Sequence, residues 1–171
     1  TRDLRVHDHP SLAAAHKRGG PVVPTFVFDD AILASSFNRP NRTGFMLESL
    51  ADLDSELKNL GARLILRRGN WVDEILKLAH RAKANAIYIA EDVSRLSRQR
   101  LDKLEAAANT VGVEVIRQSG ITVIPAGAVA PPDSDHYKVF TPYYRRWQEI
   151  PWRPIASTPK SITPVVGLKS L

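Results

Sequence analysis

The chain has 171 residues, a length that suits one domain with enough material to bury a real core. Its 43% hydrophobic and 25% charged residues are ordinary for a globular chain, and no apolar run is long enough for a membrane span or a signal-peptide core. The absence of cysteine excludes disulfides and thiolate metal sites and fits a cytoplasmic protein, while the net charge of +6 is scattered, reading equally as a match to a polyanion such as DNA or as solubility charge.

Apolar runs alternate with helical patterns along the chain, the arrangement of an α/β domain with a largely parallel sheet. The first helix covers Pro10 to Arg18, with Asp8 or His9 as N-cap and Gly19-Gly20 ending it. Val22 to Phe28 is a nearly all-apolar strand of the kind covered on both faces. Pro24 belongs at its start or at a bulge, because proline removes a ladder donor. Asp29-Asp30 ends that strand, and Ala34 to Arg42 reads as loop. In the second helix, which Arg42 opens, Leu47, Leu50, Leu53, Leu57 and Leu60 recur at three- and four-residue steps and share one face. Gly61 stops it.

Arg63 to Arg67 is the next strand, and Asn70 caps a helix from Trp71 to Lys83. Ala86 to Ala90 is a strand, Arg95 to Thr110 a helix and Val113 to Arg117 a strand. Ile121 to Ile124 reads as a short extended piece, Pro125 to His136 as loop and Phe140 to Glu149 as a short helix. The proline-punctuated tail from Pro151 onward reads as an extended linker.

Ligands of open α/β sheets sit outside the carboxyl ends of the strands, where strand order reverses. Glu91 and Asp92 stand at one such end. They can accept hydrogen bonds from a ring N–H or a hydroxyl, or simply favour the N-terminus of the next helix through its dipole. Phe26 and Phe28 share one strand face; both suit the core, and Phe28 is near enough to the carboxyl end to reach a flat ligand. A cation at Arg42 gains nothing from the dipole of the helix it opens, so stacking on a ring or binding a carboxylate is open to it. The aromatic and basic run from Lys138 to Trp147 can be a platform for single-stranded nucleic acid, or a packing seam that buries its rings. No catalytic group emerges: there is no glycine-rich phosphate loop, no serine elbow and no histidine spacing suited to a metal beyond the His7/His9 pair.

Two segments carry a family resemblance. Tyr137-Lys138-Val139-Phe140-Thr141-Pro142-Tyr143-Tyr144-Arg145-Arg146-Trp147 is similar to the segment that closes the first domain of DNA photolyases and cryptochromes. Arg2-Asp3-Leu4-Arg5-Val6-His7-Asp8 resembles the first loop of the same family. The resemblance covers residues 1–160 and implies a light-harvesting antenna domain over 1–150, the start of an interdomain linker over 151–171, and an FAD-binding catalytic domain absent from the chain. It implies a doubly wound, mostly parallel five-stranded Rossmann-like sheet. The central strand that should feed the loop at 1–8 is then missing from the chain, unless Thr163 to Leu168 fills its place. A missing strand leaves an unpaired edge that invites pairing with another chain.

In the full-length relatives, the resemblance implies light-driven repair of pyrimidine dimers in DNA from reduced FAD, a lyase activity that this domain alone would lack. For the antenna it implies contacts at the Arg42 and Asp92 positions and favours a deazaflavin; a folate is disfavoured because Ala90 stands where that type has asparagine, and a flavin stays open. The alternatives are the same domain of a cryptochrome photoreceptor, and a stand-alone nucleotide-binding α/β protein.

Overall fold

The structure, a computed structural model, describes residues 3–171. Arg2, in the N-terminal motif, lies outside the described residues. The elements run α1 (Pro10–Arg18), β1 (Thr25–Asp29), α2 (Asp30–Leu33), α3 (Pro40–Asn59), β2 (Ile65–Gly69), α4 (Trp71–Ala82), β3 (Ala86–Ala90), α5 (Arg95–Thr110), β4 (Glu114–Gln118) and α6 (Phe140–Glu149).

Local chemistry explains most boundaries. His9, not Asp8, caps α1: its Nδ1 accepts the Leu12 N–H at 3.1 Å, which satisfies one orphan donor of the first turn. Asn70 accepts from the N–H groups of Val72 and Asp73 at the start of α4, and Ser94 accepts from Ser97 at the start of α5. Pro24 sits just before β1, where its carbonyl accepts the Ile65 N–H and its missing donor costs nothing.

Several expectations need correction. The segment after β1 is not all loop: Asp29 caps the short α2. The leucine-rich helix starts at Pro40, a natural first helical residue, so Arg42 lies inside its first turn. β2 runs two residues later than Arg63–Arg67, and β4 one later than Val113–Arg117. Ile121 to Ile124, expected as a short extended piece, is a run of bends.

The strands form two parallel pairs, β1 with β2 and β3 with β4. Parallel pairs with helices between their strands are consistent with a Rossmann-like α/β fold. In a parallel ladder, successive residues bond alternately to either side. The Ile65 N–H bonds the Pro24 carbonyl, so Thr25, Val27 and Asp29 turn their backbone groups away from β2. By the same count, the Glu114 N–H to Asn85 carbonyl and Glu91 N–H to Gln118 carbonyl bonds leave Ala86, Tyr88 and Ala90 turned away from β4. Among the described residues no strand pairs with either free edge. Thr163 to Leu168 does not occupy that position. Thr163 receives the Val22 N–H, while Ser170 and Leu171 bond the outer edge of β2 at Leu66.

The main core lies between β1 and α3. Leu50, Leu53 and Leu57 of α3 pack with Val6, Leu12, Ala62, Leu64 and Ile162, against Phe26 and Phe28. Leu57 is 1% exposed; burying such a side chain stabilises by roughly 1.5–3 kcal/mol. Leu47 departs from the expected stripe and is exposed, while its neighbour Met46 packs against the core that holds Leu50, Leu53 and Leu57. A second cluster lies under α5, where Leu104 and Ala108 are fully buried.

Candidate functional site

Each residue singled out from the sequence has a definite place. Phe26 and Phe28 meet edge to face with ring centroids 5.1 Å apart, and both are partly buried against the main core. The same-face reading of the strand therefore holds, and their first duty is packing. Arg42 is exposed in the first turn of α3, and its guanidinium donates to the Phe37 carbonyl at 3.4 Å. Glu91 continues the ladder past the end of β3, with its side chain exposed and 3.9 Å from Arg117. Asp92 is half-buried and accepts the Ser94 N–H at 3.0 Å, which fixes the turn into α5.

Around the carboxyl ends of β1 and β3 stand the exposed side chains of Ile32, Phe37, Val93 and Leu96. Apolar walls with a few convergent polar groups are what a flat, partly polar ligand requires. Cavities of about 350 Å³ and 410 Å³ lie elsewhere, between residues 122–129 and α6 and between α4 and residues 166–169, and neither includes Phe28, Arg42, Glu91 or Asp92.

Sequence reasoning missed two clusters at this end of the molecule. In the first, the Arg100 guanidinium lies 4.4 Å over the Trp71 ring and 3.1 Å from Asp29. Its Nε is buried without a hydrogen-bond partner, and burial lowers its pKa against the opposing pull of Asp29. Asp29 and Trp71 each stand at or just past a strand's carboxyl end, a position that could have flagged them. Arg100 carries no such signal, since reaching them depends on how α5 is turned.

The second cluster is a clamp. Arg153 donates from both terminal nitrogens to Asp8, at 2.6 and 2.7 Å, and the Ala156 N–H adds a third bond at 2.9 Å. The Arg153 bonds, then the Ala156 amide, hold the Asp8 carboxyl far below the usual carboxylate range. Asp8 sits at φ +46°, and Arg5 donates to its carbonyl at 2.8 Å. Arg5 also reaches the Gly120 carbonyl at 3.2 Å. A Cβ on Gly120 would lie 2.8 Å from the Pro10 ring, so only glycine allows this approach. The clamp joins the N-terminal loop, the end of β4 and the tail, so the tail is anchored where it leaves α6.

Elsewhere Glu74 is buried between Arg67, at 2.8 Å, and Lys77, at 2.8 Å; the Lys77 bond, then that from Arg67, lowers its pKa against burial. That trio fixes α4 on β2 next to the carboxyl end of that strand, where a Cβ on Gly69 would lie 3.2 Å from the Glu74 side chain. Among the described residues no group of His, Cys, Asp or Glu could hold a metal ion.

Comparison with known proteins supplies the context. The family profile described as DNA photolyase matches residues 1–160. A deoxyribodipyrimidine photo-lyase of Streptomyces griseus is 37% identical over 172 residues, covering 99% of this chain and 38% of the relative. A cryptochrome DASH of Natronomonas pharaonis is 30% identical over 82% of this chain and 31% of its own length. The crystal structure of an archaeal photolyase from Sulfolobus tokodaii with two FAD molecules matches with a TM-score of 0.80 at 24% identity, over 99% of this chain and 38% of that one. The chain thus spans 31–38% of the length of these proteins.

Proposed function

The chain belongs to the DNA photolyase family, and from that premise we propose that it is a photolyase's light-harvesting domain, holding a deazaflavin at the carboxyl ends of β1 and β3. The observation that carries this reading is the family match over residues 1–160, which takes in both end motifs. In this reading Phe28, backed by Phe26, forms an apolar wall. Arg42 anchors a carbonyl or carboxylate of the pigment, while Asp92 and Glu91 accept from its ring N–H or hydroxyl groups. The bound pigment supplies light absorption and energy transfer. The protein's residues hold it rigid, oriented and dry, and none of them breaks a bond. The Sulfolobus tokodaii photolyase, solved with two FAD molecules, makes a flavin the first alternative occupant, and a folate the next.

The partners follow from the relatives' greater length: an FAD-binding catalytic domain on the same polypeptide and, through it, damaged DNA, in the cytoplasm. Among the described residues no helix is long and apolar enough to cross a membrane. The free edges of β1 and β3 add a strand of a second copy as a further partner. The cryptochrome relative favours one second reading, the same domain serving a photoreceptor.

Fluorescence titration with a deazaflavin, a folate and FAD tests the site. The deazaflavin is expected to bind tightest, and Arg42→Ala and Asp92→Ala each to weaken it tenfold or more. Unchanged affinities in both variants would remove these residues from the site. Repair of irradiated DNA by a chain of the relatives' full length, and none by residues 1–171, separates photolyase from photoreceptor.

A further inference from the structure

Three cations from three segments of the chain line one cavity. The space of about 410 Å³ between α4 and the tail is bounded by Arg67 of β2, Arg81 of α4 and Lys169 of the tail. Leu78, Val166 and Leu168 supply its apolar wall, and among the described residues no carboxylate lines it. Its volume lies in the range of small-ligand pockets, about 300–1,000 Å³. None of the residues assigned to the pigment belongs to it.

Both walls are held in place by the fold. Glu74, Leu78 and Arg81 follow one another at four- and three-residue steps, so they share one face of α4. Glu74 and Leu78 are buried, and Glu74 ties the helix to β2 through Arg67, so Arg81 ends the stripe that packs on the sheet. The facing wall is tied to the outer edge of β2. The Leu66 N–H donates to Ser170 Oγ at 2.9 Å, and the Leu171 N–H donates to the Leu66 carbonyl at 3.1 Å. Gly167, at φ +83°, turns the tail in the left-handed region that favours glycine, and the residues on both sides of it line the cavity.

The charge balance selects the ligand. Arg67 is paired at 2.8 Å with Glu74, an acid it shares with Lys77. Among the described residues no carboxylate pairs with Arg81 or Lys169, so the cavity keeps two positive charges without a counter-ion. We propose that it is a binding site for a phosphate monoester, its phosphate against Arg81 and Lys169 and its body over Leu78 and Leu168. A phosphate monoester carries about −1.5 to −2 charges near pH 7 and so matches both cations, whereas a carboxylate would leave one unmatched. The Arg81 guanidinium offers paired donors to two phosphate oxygens, and the Lys169 ammonium acts as a point charge. The body is aliphatic or a sugar, because no aromatic ring lines the cavity for a base to stack on. The proposal does not depend on the pigment reading.

Calorimetric titration of the 171-residue chain with monobutyl phosphate, inorganic phosphate, butanoate and oligothymidine tests the site. Monobutyl phosphate should bind roughly tenfold more tightly than butanoate, through its second charge. It should also bind more tightly than inorganic phosphate, which has no apolar body. Arg81→Gln and Lys169→Gln should each weaken it roughly tenfold. Both side chains are exposed, so melting curves should show the variants folded. Lys103→Gln, at an exposed position on α5 outside the cavity, should leave the affinity unchanged. In the unaltered chain, saturation should move the amide NMR signals of residues 78–81 and 166–169. Undetectable binding at millimolar monobutyl phosphate, or NMR changes confined to other residues, would overturn the proposal. So would butanoate binding equally well, which removes the phosphate, or an equal loss in Lys103→Gln, which reduces the effect to diffuse charge. Oligothymidine binding more tightly than monobutyl phosphate, and losing affinity in the same two variants, would overturn it in favour of a nucleic-acid backbone.

Discussion

Helices α3 and α6 carry the same kind of signal and meet opposite fates. Each has apolar residues gathered on one side. Leu50, Leu53 and Leu57 of α3 vanish into the core, while every aromatic of α6 stays partly or wholly in solvent. The difference lies in what surrounds them. α3 is the crossover between β1 and β2, so the two strands it connects give it a floor. α6 follows a long irregular segment after β4, and among the described residues no strand comes after it. Periodicity says that a face needs burial; topology decides whether the same chain can supply it.

The largest effect should come from truncating the buried side. Leu57→Ala, at a position 1% exposed, should cost about 2–5 kcal/mol in thermal or denaturant melts, through lost transfer energy and the cavity left behind. Leu53→Ala should fall in the same range. Leu47→Ala, on the same sequence stripe but 50% exposed, should stay within about 0.5 kcal/mol, as should Glu56→Ala off the stripe. A Leu47 cost equal to that of Leu57 would mean that α3 is turned differently, and with it the placement of Arg42.

Next in size is the clamp that ties the region beneath α6 to the rest of the domain. Asn tolerates the left-handed backbone of Asp8, so Asp8→Asn isolates the charge. Losing the charged bonds to Arg153 should cost about 1.5–3 kcal/mol at neutral pH. The pH dependence follows from the sign of the shift. The folded pKa is depressed, so the contribution is present above the unfolded value of about 3.9 and is lost as pH falls toward the folded value. The stability difference between the original chain and Asp8→Asn should therefore be greatest near pH 7 and shrink below about pH 4. A difference that grows in acid would rule the clamp out. Exchange in residues 150–156 should rise in the variant while that of α3 stays fixed.

Much of the architecture was legible, and the reasons are local. The caps at Asn70 and Ser94, the leucine spacing of α3 and the apolar run of β3 act over a few residues, so α1, β3, α5 and α6 have the bounds the sequence implies. The misses are long-range. Asp8 with Arg153, and Arg100 with Trp71 and Asp29, join residues distant in sequence, and no spacing announces them. The candidate site was legible as a location, the carboxyl ends of β1 and β3, because parallel topology fixes that much. Which side chains converge there depends on the turns after the strands, and those turns held the unexpected α2 and the early start of α3.

The smallest effect should be at α6 itself, and its smallness is informative. Phe140→Ser removes a large apolar side chain, which in a core would cost several kcal/mol. Here the ring is already in water and loses chiefly its contact with Tyr144. A stacked pair contributes about 0.5–1.5 kcal/mol, and serine at an exposed helix start is well tolerated, so the net cost in the 171-residue chain should be below about 1 kcal/mol. Melting curves of Phe140→Ser and Leu57→Ala, taken side by side, set the two helices on one scale. If the exposed phenylalanine proves as costly as the buried leucine, α6 is covered in the isolated chain and the contrast between the two helices disappears. If it is nearly silent, the ring stands in solvent and the contrast between the two helices holds.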